Sequence, residues 1–233
     1  MAKIKKNNIP GINEARKPAG KTGIFRLGIM GGTFDPIHYG HLLAAEQARC
    51  KFDLHRVVFV PSGEPPHKNR RAAAPAEYRY LTTVLATARN PFFSVSRTEI
   101  DREGPSYTID TLRYFMDHYK DRNPRIFFIT GIDAIMEIIS WSKPDEILKL
   151  STIIAATRPG YDTEKLKDVI GPKIYKKVEL LHASALAISS TDIRYRVANG
   201  LPIKYLLPET VEQFIIKHRL YQNLSQKAKR IHG

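Results

Sequence analysis

Gly31-Gly32-Thr33-Phe34-Asp35-Pro36-Ile37-His38-Tyr39-Gly40-His41 is the stretch of this chain best equipped to hold an anion. Two adjacent glycines let a phosphate approach the backbone closely, because no Cβ intervenes. The segment Leu42–Phe52 that follows reads as a helix, whose first N–H groups and positive dipole end face back toward the glycines. His38 and His41 are three residues apart, so both imidazoles can reach one point at the start of that helix. There they can donate hydrogen bonds to phosphate oxygens, and nearby negative charge favours their protonated forms. No Lys-Ser or Lys-Thr follows the glycines, so this is not a Walker loop. By themselves two such histidines also fit a helix cap plus a core residue. A zinc site wants three or four ligands, and no third is evident, so no metal is assigned to protein ligands.

Ile188-Ser189-Ser190-Thr191-Asp192-Ile193-Arg194 is the second such stretch. It reads as a helix start with hydroxyl caps and an arginine one turn in. Three hydroxyls, open N–H groups and a guanidinium would make a second phosphate cradle, although an ordinary capped helix has the same spelling.

The elements that must carry these turns follow from periodicity. Ile24–Met30, Val57–Val60, Phe92–Val95, Ile126–Ile129 and Ile153–Ala156 are short, mostly continuous apolar runs, as expected for parallel strands covered on both faces. Val178–Leu181 is a candidate sixth. Tyr78, Leu81, Leu85 and Ala88 share one helical face, as do Ile109, Leu112, Met116 and Tyr119. Pro75 and Ser106 sit at helix starts, and Pro91 closes the first of these helices. Residues 160–175 read as a polar helix and loop, followed by helices near 190–198 and 208–220. The alternation predicts an α/β, Rossmann-like doubly wound parallel sheet of five to six strands with a small C-terminal helical part. Ligands of such sheets bind beyond the carboxyl ends of the strands, where strand order reverses.

Composition narrows the function classes. The 233 residues are 42% hydrophobic and 26% charged, ordinary values for a folded chain. No apolar run approaches the ~20 residues of a membrane helix, and MAKIKKNNIPG lacks the apolar stretch of a secretory signal. The single cysteine, Cys50, excludes an internal disulfide, fits a reducing cytoplasm and reads as helix packing. Net charge is +14, with much of the excess near the ends: six bases against Glu14 alone in residues 1–22, and Lys227, Lys229 and Arg230 with no acid in 222–233. The expected organisation is therefore a disordered basic tail (1–22), one domain (23–221) and a second basic tail (222–233). A basic balance favours anionic partners, either phosphorylated small molecules or nucleic acid.

GGTFDPIHYGHL resembles the signature of the nucleotidyltransferase superfamily that shares a His-x-Gly-His site with class I aminoacyl-tRNA synthetases, and Ile188–Arg194 resembles its Ile-Ser-x-Thr-x-x-Arg signature. Three further stretches are similar to the bacterial nicotinate-nucleotide adenylyltransferases: Pro65-Pro66-His67-Lys68, Pro105-Ser106-Tyr107-Thr108-Ile109-Asp110-Thr111-Leu112, and Gly131-Ile132-Asp133 with Trp141 beyond. The resemblance runs from about Ile24 to Tyr221. It implies a cytoplasmic enzyme of NAD biosynthesis that joins ATP and nicotinate mononucleotide into deamido-NAD and pyrophosphate, without nucleic acid or membrane partners.

On this resemblance His38, His41 and Arg194 would be catalytic. ATP would meet Gly31, Gly32, Thr33, Phe34, Gly131, Asp133, Ile188, Ser189, Ser190 and Thr191 as well as those three. Nicotinate mononucleotide would meet Lys68, Tyr107, Thr108, Trp141 and Arg158. Each has a plainer reading: Asp133 as the N-cap of a helix over 134–139, Ser106 capping in place of a ligand-binding Tyr107-Thr108, Trp141 as core, and Lys68, Arg70 and Arg71 as a solvated loop. The acceptor monophosphate, with a second pKa of about 6, is already nucleophilic at pH 7, so direct in-line displacement needs donors rather than a base. Mg²⁺ is expected on the ATP phosphates. Two alternatives share features with this reading: a sister transferase using phosphopantetheine or a cytidylyl donor, and a basic nucleic-acid binding module. Oligomeric state is left open.

Overall fold

A computed structural model describes residues 23–63, 74–157, 163–182 and 187–222. Its strands are β1 (Phe25–Gly32), β2 (Arg56–Pro61), β3 (Phe93–Val95), β4 (Pro124–Gly131), β5 (Ser151–Thr157) and β6 (Val178–His182). They form one sheet in the order β3-β2-β1-β4-β5-β6, and every neighbouring pair is parallel. The expected sixth strand is present beside β5. Strand order reverses between β1 and β4, which sets a crevice at their carboxyl ends. On one side of β1, Gly31 and Gly32 are level with Val60 and Pro61; on the other, Met30 is level with Ile129.

The helices are α1 (Tyr39–Lys51), α2 (Ala76–Thr87), α3 (Thr108–His118), α4 (Ile132–Ile135), α5 (Pro144–Leu150), α6 (Thr163–Tyr175, broken at Gly171-Pro172), α7 (Ser190–Ala198) and α8 (Glu209–Lys217). Successive strand residues point to opposite faces, so each strand feeds two cores. Phe127 and Ile129 of β4 join Ala44, Ala48, Ile193, Val211 and Ile215 on one face. Ile126 and Phe128 join Ile109, Leu112, Phe115, Ile147 and Leu166 on the other. Phe59 and Phe127 are fully buried, each contributing roughly 1.5–3 kcal/mol of burial free energy. No helix among the described residues is long and apolar enough to cross a membrane.

One helix turns a different face inward from the one its apolar periodicity predicts. In α2, Leu85 and Ala88 are exposed and Tyr78 and Leu81 only half-buried, whereas Arg79, Thr82, Thr83 and Thr87 are buried. The three threonines need no partner from the sheet: their hydroxyls donate to the carbonyls of Tyr78, Arg79 and Thr83, one turn back, at 2.7–2.9 Å. The apolar side meets α8 instead, where Tyr78 packs edge-on to Phe214. α2 also stops at Thr87, ahead of Pro91.

Candidate active site

The turn after β1 is shaped by aromatic rings as much as by any ligand. A Cβ on Gly31 would lie 3.2 Å from the Phe128 ring, and one on Gly32 would lie 3.0 Å from the Phe34 ring. Phe34 is buried with φ of 48°, so the chain folds back and sets its ring edge-on to His41 at 5.1 Å. The peptide bond between Asp35 and Pro36 is cis.

His38 occupies the N-cap of α1, and its ring stacks on His41 with centroids 3.8 Å apart. The backbone N–H of His38 donates to Nδ1 of His41 at 3.3 Å. An accepting Nδ1 places the proton of the neutral ring on Nε2, leaving that atom as a donor. Burial, reinforced by neighbouring His38, holds the His41 imidazole well below its ordinary pKa. In the ligand-free protein His41 is thus a neutral donor rather than the protonated one expected near phosphate. An NMR titration of the ligand-free protein should place its midpoint below the ordinary ~6.5. The corresponding stability is complete above about 6.5 and is lost as pH falls from there toward the native pKa, because the unfolded imidazole takes up its proton first. A midpoint at or above 6.5 would contradict this assignment.

The second turn lies against the first. Ser189 is the N-cap of α7, its Oγ accepting from the N–H of Asp192 at 3.1 Å. Ser190 Oγ donates to the carbonyl of Pro36 at 2.9 Å, and Arg194 Nη1 donates to the carbonyl of Asp35 at 2.7 Å. Arg194 Nη2 also meets Thr191 Oγ1 at 3.2 Å. A Cβ on Gly40 would fall 3.0 Å from the His38 ring, tight enough to push that ring aside, and 3.7 Å from the Ile188 carbonyl, an ordinary contact across the two turns. Of the three hydroxyls expected to greet phosphate, Ser190 therefore also ties the turns together, Ser189 caps α7, and Thr191 steadies Arg194.

Three residues that sequence reasoning did not single out brace this junction. Asp35 is buried, and its Oδ1 accepts from the Tyr221 hydroxyl at 2.8 Å and the Ala74 N–H at 3.2 Å. Burial beside that carboxylate pushes the Tyr221 phenol far up, so it stays a donor. Arg79, buried on α2, donates to Thr33 O (2.7 Å), Ser62 O (2.6 Å), Gly63 O (3.3 Å) and Ala74 O (3.3 Å). A lone arginine between Tyr78 and Tyr80 carries no sequence signal for this.

Among the remaining ATP- and mononucleotide-side candidates, the described ones lie after β3 or at and beyond the end of β4 in the chain. Gly131 ends β4, next to β1, and is itself the N-cap of α4, so Asp133 lies inside that helix and exposed rather than capping residues 134–139. Tyr107, exposed, is the N-cap of α3, and Thr108 is its first residue. Ser106 is no cap: it is buried, and its Oγ donates to the Glu99 carbonyl at 3.2 Å. Trp141 is half-buried and edge-on to Phe128 at 5.9 Å, one ring away from Gly31. Cys50 is exposed on α1 instead of packed, beside Glu46 and Arg49. Lys68, Arg70, Arg71 and Arg158, the stretch Pro65–Lys68, and both proposed tails apart from Gln222 lie outside the described residues. Among the described residues, no three His, Cys, Asp or Glu side chains gather as a metal-binding set.

Comparison with known proteins gives the family and the fold. Residues 29–196 match the family model described as cytidylyltransferase-like. A relative from Thermoanaerobacter sp. (strain X514), named "Probable nicotinate-nucleotide adenylyltransferase", is 53% identical over 204 residues, covering 84% of this chain and 94% of its own. A relative of the same name from Moorella thermoacetica (strain ATCC 39073 / JCM 9320) is 54% identical over 201 residues, covering 84% and 92%. In fold, the chain is similar to a Plasmodium falciparum nicotinic acid mononucleotide adenylyltransferase complexed with NaAD. The TM-score is 0.69 at 19% identity, covering 84% of this chain and 97% of that one.

Proposed function

This chain belongs to the nicotinate-nucleotide adenylyltransferases of the cytidylyltransferase-like family, and on that footing we propose how its own residues join ATP and nicotinate mononucleotide into deamido-NAD and pyrophosphate. The observation that carries the reading is the pair of hydrogen bonds, Ser190 to Pro36 and Arg194 to Asp35, that close the two anion-binding turns against each other beside the sheet's reversal point.

A phosphate oxygen of nicotinate mononucleotide attacks the α-phosphorus of ATP. The new P–O bond forms as the bond to the β-phosphate oxygen breaks, and pyrophosphate leaves with that electron pair. The acceptor is largely dianionic at neutral pH, so no side chain has to take a proton. The work left to the protein is alignment and relief of negative charge. His41 Nε2–H and His38 serve the α-phosphate, with the glycine turn (Gly31, Gly32, Thr33, Phe34) beside them. Arg194, with Ile188, Ser189, Ser190 and Thr191 at the α7 N-terminus, serves the phosphates that depart. Gly131 and Asp133 receive the ATP ribose. The start of α3, at Tyr107 and Thr108, suits the nicotinate carboxylate, Trp141 the pyridine ring, and Lys68 and Arg158 the remaining negative charge of the mononucleotide. Mg²⁺ enters on the ATP phosphates as part of that substrate, and a reducing cytoplasm suits the exposed thiol of Cys50.

A coupled pyrophosphate assay with ATP tests the reading. Nicotinate mononucleotide should be turned over in preference to nicotinamide mononucleotide, whose neutral amide gives the α3 start no charge to hold. Pyrophosphate release with 4′-phosphopantetheine and none with nicotinate mononucleotide would overturn it.

A further inference from the structure

We propose that Arg79 is a positioning residue of the transfer reaction, its buried guanidinium setting the spacing between the phosphate-binding turn after β1 and the loop after β2. The proposal rests on the adenylyl-transfer reading above and adds to it a residue that touches no reacting atom.

Burying a guanidinium is costly unless its donors are satisfied, and an apolar residue of similar size would fill the same space at lower cost. Arg79 is 2% exposed. Among the described residues its hydrogen bonds all end on backbone carbonyls, and these belong to three separate segments. Thr33 lies in the turn that follows Gly32; Ser62 and Gly63 leave β2; Ala74 leads into α2. Ser62 and Ala74 flank residues 64–73, so one side chain pins both ends of that loop and ties them to the glycine turn. Asp35 Oδ1, accepting from the Ala74 N–H, repeats the tie from the opposite side. Gly63 is held on its other flank too, since a Cβ there would collide with the Glu99 carbonyl.

A planar fork with five donors can serve carbonyls in three directions at once, and a lysine ammonium on a flexible stem cannot do so in the same geometry. The glycine turn belongs to the ATP side of the reaction, while Gly63 abuts the Glu99 carbonyl, which also accepts from Ser106 beside Tyr107 and Thr108, assigned to the acceptor side. Displacement of one reactant by about 1 Å from its line of attack costs on the order of 10² in rate. The guanidinium thus acts on kcat through the relative placement of two loops, and on substrate affinity only weakly.

The test measures kcat, both KM values and the melting temperature for Arg79→Lys, Arg79→Gln and Thr87→Ala, with rates taken per folded molecule well below each midpoint. Thr87, two turns along α2, is the control for helix stability alone. Arg79→Lys and Arg79→Gln should lose ~10² in kcat with KM for ATP changed by less than about 5-fold. Thr87→Ala should melt lower and keep its kcat. A folded Arg79 variant retaining more than about half of wild-type kcat overturns the proposal, and so does failure of both variants to fold, which would make Arg79 a folding residue. Failure of the parent reading is separate, because it would show as wild-type enzyme making no deamido-NAD.

Discussion

Replacing His41 by alanine should lower kcat by ~10²–10³, the scale for loss of one preorganised donor aimed at developing charge. The ring is already oriented before substrate arrives: Nδ1 is engaged by the His38 N–H, Phe34 stands edge-on to one side and His38 is stacked on the other. A neutral Nε2–H costs no proton uptake at pH 7, so turnover should not fall between pH 7 and 9 through loss of a proton from this residue. The two conservative amides separate the nitrogens. His41→Gln can bring an N–H near the Nε2 position and should keep more activity than His41→Asn, whose amide reaches only as far as Nδ1. Initial rates of pyrophosphate release at saturating substrates measure all three. His41→Ala turning over at more than half of the wild-type rate would remove His41 from the mechanism.

Arg194→Ala should cost about 10² or more in kcat/KM, with KM for ATP rising as well. Two effects add here. On the proposed mechanism the guanidinium is a charge partner for the leaving phosphates, and it also bonds the turn at Asp35 directly to the α7 start. Removing it leaves the Asp35 carbonyl without that charged donor, a loss of roughly 1–3 kcal/mol in stability. Arg194→Lys should restore little, because one ammonium cannot hold the Asp35 carbonyl, Thr191 and a phosphate together, whereas a guanidinium has five donors and uses two of them on these partners. Steady-state kinetics with ATP varied, alongside thermal melts, read both effects. A lysine variant with wild-type kcat/KM would show that charge alone suffices.

Much of the fold was legible because parallel strands buried on both faces spell themselves as unbroken apolar runs, and all six runs became strands of one sheet. The two turns proposed to hold anions were marked by glycine, histidine, serine and arginine at strand and helix ends, although His38 and Ser189 also serve as the helix caps that the same spelling allows. What stayed hidden was polar matter inside. The buried face of α2 is Arg79 and three threonines, which periodicity assigns to solvent, because threonine hydroxyls bonded to their own helix behave as small apolar groups. Ser106 spells a cap, but its hydroxyl is drawn to the Glu99 carbonyl by a contact that no local spacing encodes. Asp133 ends up one residue inside α4 because Gly131, extended at φ −73° and ψ 152°, begins that helix earlier. Asp35 and Tyr221 meet across most of the sequence, beyond the reach of any window.

That last pairing has a consequence for synthesis of the chain. Residues 35 and 221 are 186 positions apart, and the hydroxyl of the later one is buried against the carboxylate of the earlier one. A nascent polypeptide can zip β1 to β2 and β4 long before Tyr221 has left the ribosome, but it cannot latch Asp35 until then. This latch therefore closes only when almost the whole folded region has been made, and it fixes the early glycine turn to the segment that follows α8, the last helix to arrive.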